Sequence, residues 1–200
     1  ALSLHRVAHQ LDLAVGALYR YFDSKAALIA HLEFRVIRAL RTRLEAECDG
    51  LAQPVGPAGY LQNVLVVARA YREAMHENPA WKSLLDGILA DRKHILETED
   101  AKSIISEMMS LIRFCGLPIV SAEEAEVLLP GDTDERVVVF WSAIRGVMQL
   151  EKLEELAPKT LNAQALFDAT TTTLLVGWGA DADAVSEASR RIKQQTLTGA

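Results

Sequence analysis

Apolar side chains recur at helical spacing along most of the chain, and Pro and Gly interrupt that pattern only rarely. The spacing predicts short helices over residues 3–11 and 15–22 and a long helix from about 24 to 47. It predicts further helices over 58–77, 78–91, 98–115, 121–129, 132–156, 162–176 and 184–195. Only the run Thr170 to Thr173, which is β-branched throughout, favours a strand. With no partner strand predicted elsewhere, we predict an all-α fold.

Helix ends are indicated by capping residues. Ser3, Ser24, Asn78 and Asn162 are predicted N-caps. Gly116, with Pro118 just beyond it, predicts the end of the 98–115 helix, and the capping-box spacing of residues 121–124 predicts the start of the next one.

The stretch 50–59, which contains Pro54 and Pro57, is the clearest linker. It predicts an N-terminal domain over residues 1–47 and a second domain over 48–200. The chain has 21 basic and 27 acidic residues, for a net charge of −6. Residues 1–47 carry +2 and the remainder carries −8. A basic segment on an acidic body indicates two separate roles.

The two cysteines, Cys48 and Cys115, lie far apart in sequence and form neither a disulfide framework nor a metal-binding spacing. A reducing compartment fits this usage, so a cytoplasmic location is expected. No apolar run approaches the roughly 18 residues of a membrane span, so no membrane partner is expected.

Residues 4–22 have the pattern of a helix-turn-helix. The small residue Ala8 suits the point where two steeply crossed helices touch, and Asp12 suits a turn position with left-handed backbone. The surrounding apolar positions are Val7, Leu11, Leu13 and Leu18. Paired short helices of this kind are common in all-α proteins, so the pattern alone leaves a packing role open.

The second helix of this pair presents small and phosphate-binding residues. Gly16 and Ala17 let the helix approach base edges or phosphates closely, and Tyr and basic side chains donate to phosphate oxygens. The candidate DNA-binding residues are Ser3, Val15, Gly16, Ala17, Tyr19, Arg20, Tyr21 and Lys25.

The segment 15–28, VGALYRYFDSKAAL, resembles the signature of the TetR-type transcriptional repressors, and residues 4–11 are similar to the preceding helix of that family. The resemblance implies a homodimeric DNA-binding regulator whose C-terminal domain holds a small ligand. Ala14 departs from the usual Ser or Thr cap of the recognition helix. The resemblance also implies a helix before Ser3, so the N-terminal domain is expected to be a three-helix domain that lacks its first helix here.

A regulator of this type needs a cavity in its second domain. Aromatic and Met side chains make adaptable walls for an apolar effector, although each of them could equally fill the core. The candidate lining residues are Tyr71, Trp81, Leu85, Met108, Met109, Ile112, Phe140, Trp141, Ile144 and Met148. Arg113, Gln149 and His94 are polar groups that could orient the ligand.

The resemblance places a dimer interface on the two helices over 135–156 and 162–178, and the alternative is a monomer that buries the same faces internally. Small residues such as Ala143 and Gly146 allow close approach across a two-fold axis. The candidate interface residues are Val139, Ala143, Gly146, Val147, Leu150, Leu166, Ala169, Thr173 and Leu174.

The sequence predicts a transcriptional repressor that a small, mainly apolar effector releases from a palindromic double-stranded DNA operator. The alternative is a ligand- or protein-binding module of the same fold that has lost operator binding. His5 and His9 have a metal-compatible spacing, but no nearby Cys or carboxylate completes a site. No cofactor, metal or enzyme activity is expected, because no catalytic grouping has local support.

Overall fold

A computed structural model describes residues 3–51, 53–90, 101–154, 156–157 and 161–198 of the chain. In these residues the chain forms nine α-helices and no strand, which confirms the predicted all-α fold. The helices are α1 (Leu4–Gln10), α2 (Val15–Tyr19), α3 (Lys25–Asp49), α4 (Gly56–Glu77), α5 (Pro79–Ala90), α6 (Ala101–Glu124), α7 (Thr133–Glu154), α8 (Ala163–Gly177) and α9 (Ala182–Thr198).

Two predicted N-caps are confirmed. The Ala27 amide donates to Ser24 Oγ at 3.0 Å, and the Ala165 amide donates to Asn162 Oδ1 at 2.7 Å. The four-threonine run lies inside α8, where the buried Thr171 hydroxyl donates to the Phe167 carbonyl at 3.0 Å. A helix tolerates β-branched residues when their polar atoms find a partner in the preceding turn.

The predicted helix end at Gly116 is wrong, because α6 continues through Gly116 and Pro118 to Glu124. A Cβ atom at position 116 would lie 2.8 Å from Val137 Cγ2 of α7. The glycine therefore allows close packing of α6 against α7, and it does not end the helix. Residues 121–124 form the last turn of α6, so the predicted helix over 121–129 is also wrong.

The full length of α6 also corrects the expectation that no apolar run approaches the length of a membrane span. Over Lys102–Glu124, α6 is long and apolar enough to cross a membrane by length and composition alone. Of its apolar 18-residue window 22% is buried, and the buried apolar side chains of α6 are Ile104, Leu111, Ile119 and Ala122. One such helix does not by itself indicate a membrane span, since the core helices of other proteins pass the same test.

The chain divides into two compact units. The first comprises residues 1–41 and 75–109, and the second comprises residues 42–74 and 110–200. This division by compactness differs from the predicted boundary in the Pro-containing linker, so the functional domains 1–47 and 48–200 stay a prediction.

Arg72 links three helices within the second unit. From α4, its Nε donates to Glu151 Oε1 of α7 at 3.1 Å, and its Nη1 donates to Gln164 Oε1 of α8 at 2.5 Å. The guanidinium carbon also lies 5.1 Å from the centroid of the Phe167 ring. One largely buried cation therefore holds α7 and α8 against α4.

Arg136 performs a similar role at the start of α7. Its guanidinium pairs with Glu123, donates to the Leu129 carbonyl at 2.7 Å and lies 5.4 Å from the Trp178 ring centroid. These contacts fix the connection between α6 and α7 beside the end of α8.

Replacement of Gly116 by alanine is expected to lower the free energy of unfolding by about 1–3 kcal/mol, because the new methyl group overlaps Val137. Val137 has little freedom to move away, since its branched side chain is buried in a helix. The measurement is chemical denaturation followed by circular dichroism.

Gly87→Ala is the matched control. Gly87 lies inside α5 with no atom within 4 Å of a built Cβ, so this change is expected to stabilise by up to about 1 kcal/mol. Equal effects of the two substitutions would contradict the packing role of Gly116.

Candidate functional site

The first pair of helices is joined by a tight turn at residues 11–14. Asp12 has φ of 52°, in the left-handed region that its short polar side chain tolerates, as predicted. Within this turn, the Leu13 amide donates to the Ala8 carbonyl at 2.9 Å. The backbone thus ends α1 and directs the chain into α2.

A small apolar core holds α1, α2 and the start of α3 together. Leu4, Ala8, Leu18 and Leu28 are buried in it, and Val7, Val15, Phe22 and Leu32 pack against it. Ala8 is fully buried at the helix crossing, as predicted. Leu11 and Leu13, however, are 58% and 46% exposed, so the expectation that they surround this core is wrong. Both lie in the turn after α1 has ended.

Most of the predicted DNA-binding residues lie on the surface of this helix pair. Helix α2 ends at Tyr19, earlier than predicted, and the following Tyr21 is 80% exposed. Tyr19, Arg20 and Lys25 are exposed, and so is Gly16. A Cβ atom added at Gly16 would have no neighbouring atom of the described residues within 4 Å. Ser3, Val15 and Ala17 are half-buried, and neither Ser3 nor Ala14 makes a side-chain capping hydrogen bond.

A small apolar cavity of about 40 Å³ lies in the second unit, among α4, α6 and α7. Its lining contains four predicted residues, Tyr71, Phe140, Trp141 and Ile144. Sequence reasoning missed the other six: Val64, Val67, Ala68, Cys115, Ile119 and Val137. The helical spacing of 64, 67, 68 and 71 was visible in the sequence, but it equally describes ordinary core packing.

The remaining predicted lining residues lie elsewhere. Met148 is buried and Ile112 is half-buried, and neither lines this cavity. Trp81, Leu85, Met108 and Met109 belong to the first unit. The polar candidates Arg113 and Gln149 are exposed, and His94 lies outside the described residues.

The cavity is uncharged. Among the described residues that line it, none has an acidic or basic side chain. Burial raises the pKa of the Cys115 thiol to about 12, so this thiol stays neutral at physiological pH. The Arg145 guanidinium lies 4.8 Å from the Trp141 ring centroid, on the same helix and outside the lining. Such walls suit an apolar molecule.

Helices α7 and α8 present an exposed face of apolar and small side chains. Of the predicted interface residues, Val139 and Leu150 are each 40% exposed, and Gly146, Ala169 and Thr173 are exposed. Ala143, Leu166 and Leu174 are half-buried, whereas Val147 is buried within the protein. Val138 and Leu153, which were not predicted, extend the exposed apolar surface of α7.

The fold and the N-terminal site define a helix-turn-helix protein. Residues 1–32 match the family described as bacterial regulatory proteins of the tetR family. The predicted resemblance to the TetR-type regulators is therefore confirmed, and it points to a regulator of transcription.

One curated relative is the HTH-type transcriptional repressor KstR of Mycobacterium tuberculosis, which is 28% identical over 120 residues. The match covers 59% of this chain and 52% of the relative, so the chain matches about half the length of that protein.

Two solved structures have the same fold. One is a protein of unknown function from Rhodococcus sp. RHA1, with a TM-score of 0.69 and 17% identity over 88% of this chain and 84% of that one. The other is the TetR family transcriptional regulator PfmR of Thermus thermophilus, with a TM-score of 0.63 and 18% identity over 88% of each chain.

Glu33 is a buried acid on α3 in the first unit, with only 2% of its surface exposed. Burial raises its pKa from 4.5 to about 7, so the folded state favours the protonated carboxyl. The resulting stabilisation is present below pH 4.5 and is lost as the pH rises through 7.

Glu33→Gln is therefore expected to flatten the pH dependence of unfolding between pH 4.5 and 7 and to stabilise the protein at pH 8 by about 1–3 kcal/mol. The measurement is denaturation across this pH range. Glu124→Gln, at an exposed site, is the control and should keep the slope of the parent. An unchanged slope in Glu33→Gln would exclude this linkage.

Proposed function

We propose that the chain is a ligand-responsive transcriptional repressor that binds a palindromic DNA operator as a homodimer. The observation that carries the proposal is the exposure of α2 and of the turn that follows it, beside the small buried core that contains Ala8. This helix and turn lie within residues 1–32, the segment that matches the family. The matched relative is named a transcriptional repressor, which supports repression as the form of control.

In this proposal α2 enters the major groove. Gly16 is exposed and carries no side chain, so the helix backbone can come close to the DNA. Tyr19, Arg20, Tyr21 and Lys25 are exposed donors that contact phosphate oxygens and fix the register of the protein on the duplex. The net charge of +2 on residues 1–47 favours this contact, whatever the acidity of the remainder.

The exposed face of α7 and α8 is the proposed dimer interface. Apolar Val139 and Leu150 flank the exposed Gly146, and exposed Ala169 lies on the neighbouring helix α8. Small residues allow helices from two subunits to approach closely, and a two-fold axis then repeats each contact. That symmetry sets two recognition helices about 34–36 Å apart, which is one turn of DNA.

The apolar cavity is the proposed effector site. At about 40 Å³ it is far smaller than the roughly 300–1,000 Å³ of an ordinary ligand pocket, so the effector must widen it on binding. The effector is small and mainly apolar, since no charged group lines the walls. It releases DNA to the extent that it prefers the conformation with low DNA affinity, and all of these steps take place in the cytoplasm.

Lys25→Ala is expected to weaken operator binding, because one phosphate contact is lost. For the same reason the plot of log affinity against log salt should become shallower, with the magnitude of its slope reduced by about 1 per subunit. The DNA is a duplex selected from a random library by the parent protein, and binding is measured by fluorescence anisotropy at several salt concentrations. Tyr21→Phe, which removes one hydroxyl donor, should weaken binding without changing this slope.

Lys102→Ala removes an exposed cation from α6 and is the matched control, which should bind like the parent. Failure of the full chain to select any sequence would refute the repressor and favour a ligand- or protein-binding module of the same fold.

Leu150→Asp is expected to raise the dimer dissociation constant at least about 30-fold, because symmetry places two carboxylates in the apolar centre of the interface. Sedimentation velocity over a concentration series measures this constant. Leu117→Asp, at a 58% exposed position of α6, is the control and should leave assembly unchanged. A parent protein that sediments as a monomer, or equal effects of both variants, would refute this interface.

A further inference from the structure

A second and much larger concavity lies within the second unit, with a volume of about 650 Å³. It is formed by the end of α3, residues 50, 51 and 53–55 of the connection that follows, the start of α4 and the end of α9. This volume lies within the range of small-molecule sites, whereas the apolar cavity does not.

Carboxamide side chains are concentrated in this groove. The chain has seven Gln and three Asn residues. Five of these ten line the groove: Gln53, Gln62, Asn63, Gln194 and Gln195. They come from three separate segments of the sequence, so the folded chain brings them together. We call this concavity the carboxamide groove.

The charged groups of the carboxamide groove are compensated. Glu47 pairs with Arg43 at 2.8 Å, and Arg191 pairs with Glu187 at 3.0 Å. Neither Arg43 nor Glu187 lines the groove. The groove therefore offers hydrogen-bond donors and acceptors with little net charge, which favours an uncharged ligand over an ion.

Two of the three helices that border the groove, α4 and α9, are joined by a hydrogen bond between groove residues. Gln62 Nε2 on α4 donates to Gln195 Oε1 on α9 at 3.2 Å. Beside these polar groups, Pro54 and the 77% exposed Val55 provide an apolar wall. The surface thus combines neutral polar groups with a patch that suits C–H groups.

Helix α4 separates the two concavities. Residues 59, 62, 63 and 66 line the carboxamide groove, and residues 64, 67, 68 and 71 line the apolar cavity. Each set has the i, i+3, i+4, i+7 spacing of one helix face. Because each residue turns the helix by about 100°, the five-residue offset between the sets places the two faces about 140° apart around the helix axis. A ligand in the groove therefore contacts the helix that walls the cavity without entering the cavity.

We propose that the carboxamide groove is a second ligand site that binds a small uncharged sugar or polyol. A hydroxyl group both donates and accepts, so neighbouring hydroxyls match neighbouring carboxamides, each of which offers an oxygen acceptor and an NH₂ donor. The C–H face of a sugar ring packs on Pro54 and Val55. This site is separate from the effector cavity and from the helix-turn-helix, and its test does not depend on DNA binding.

The test follows the side-chain NH₂ signals of the ¹⁵N-labelled full chain by NMR during titration with trehalose, maltose, glucose and myo-inositol. At least one of these neutral probes is expected to shift the signals of the five groove carboxamides and to leave those of Gln10 and Gln164 unchanged. The charged counterparts, glucose 6-phosphate and gluconate, are expected to bind at least about tenfold more weakly.

Absence of shifts with all four neutral probes would overturn the proposal. Binding of the charged counterparts with equal affinity would also overturn it, because the site would then not select neutral ligands. Shifts with a blocked neutral dipeptide but with none of the sugars would reject the sugar class.

Variants locate the binding. Gln53→Ala and Gln194→Ala are each expected to weaken binding of the responding probe about tenfold, as for the loss of one good hydrogen bond. Gln10→Ala removes an exposed carboxamide from α1 and is the matched control, with affinity equal to the parent. Thermal melting checks that the variants are folded, and unchanged affinity in both folded groove variants would place the ligand elsewhere and refute this site.

Discussion

The second unit depends on the packing of α4, which has very little surface left for solvent. Leu61, Val64, Leu65, Val67 and Ala68 are all buried, so apolar residues cover much more than one stripe of this helix. Two of its polar side chains reach other helices: Gln62 bonds to α9, and Arg72 binds α7 and α8.

The N-terminal helix pair differs from α4 in this respect, because the DNA contact proposed for it needs exposed side chains. Four small or aliphatic side chains form its buried core, and Tyr19, Arg20, Tyr21 and Lys25 beside them stay on the surface. Such a small core gives modest stability. The burial of Glu33 on α3 makes the stability of the first unit dependent on pH. The residues of the core and the residues proposed to contact DNA are therefore almost entirely different sets.

Local patterns predicted the backbone of the N-terminal helix pair well, because its turn, helix crossing and cap are encoded over short distances. Asp12 marked the turn, Ala8 marked the helix crossing and Ser24 marked the start of α3, since each acts on neighbours a few residues away. The same reasoning failed for Leu11 and Leu13, whose apolar character suggested burial although the turn leaves them exposed. Whether an apolar residue is covered depends on what packs over it, and spacing along one helix does not contain that information.

The sequence by itself determined the all-α class, most helix positions and the helix-turn-helix, because capping, periodicity and turn preferences are local properties of the backbone. Only the tertiary structure decided the role of Gly116, which sets a close approach of α6 to α7 where the local rule predicted a helix end. It also decided which residues line the cavity and brought five carboxamides from three segments into one groove. Contacts between segments far apart in sequence determine these features, and no local pattern specifies which segments meet.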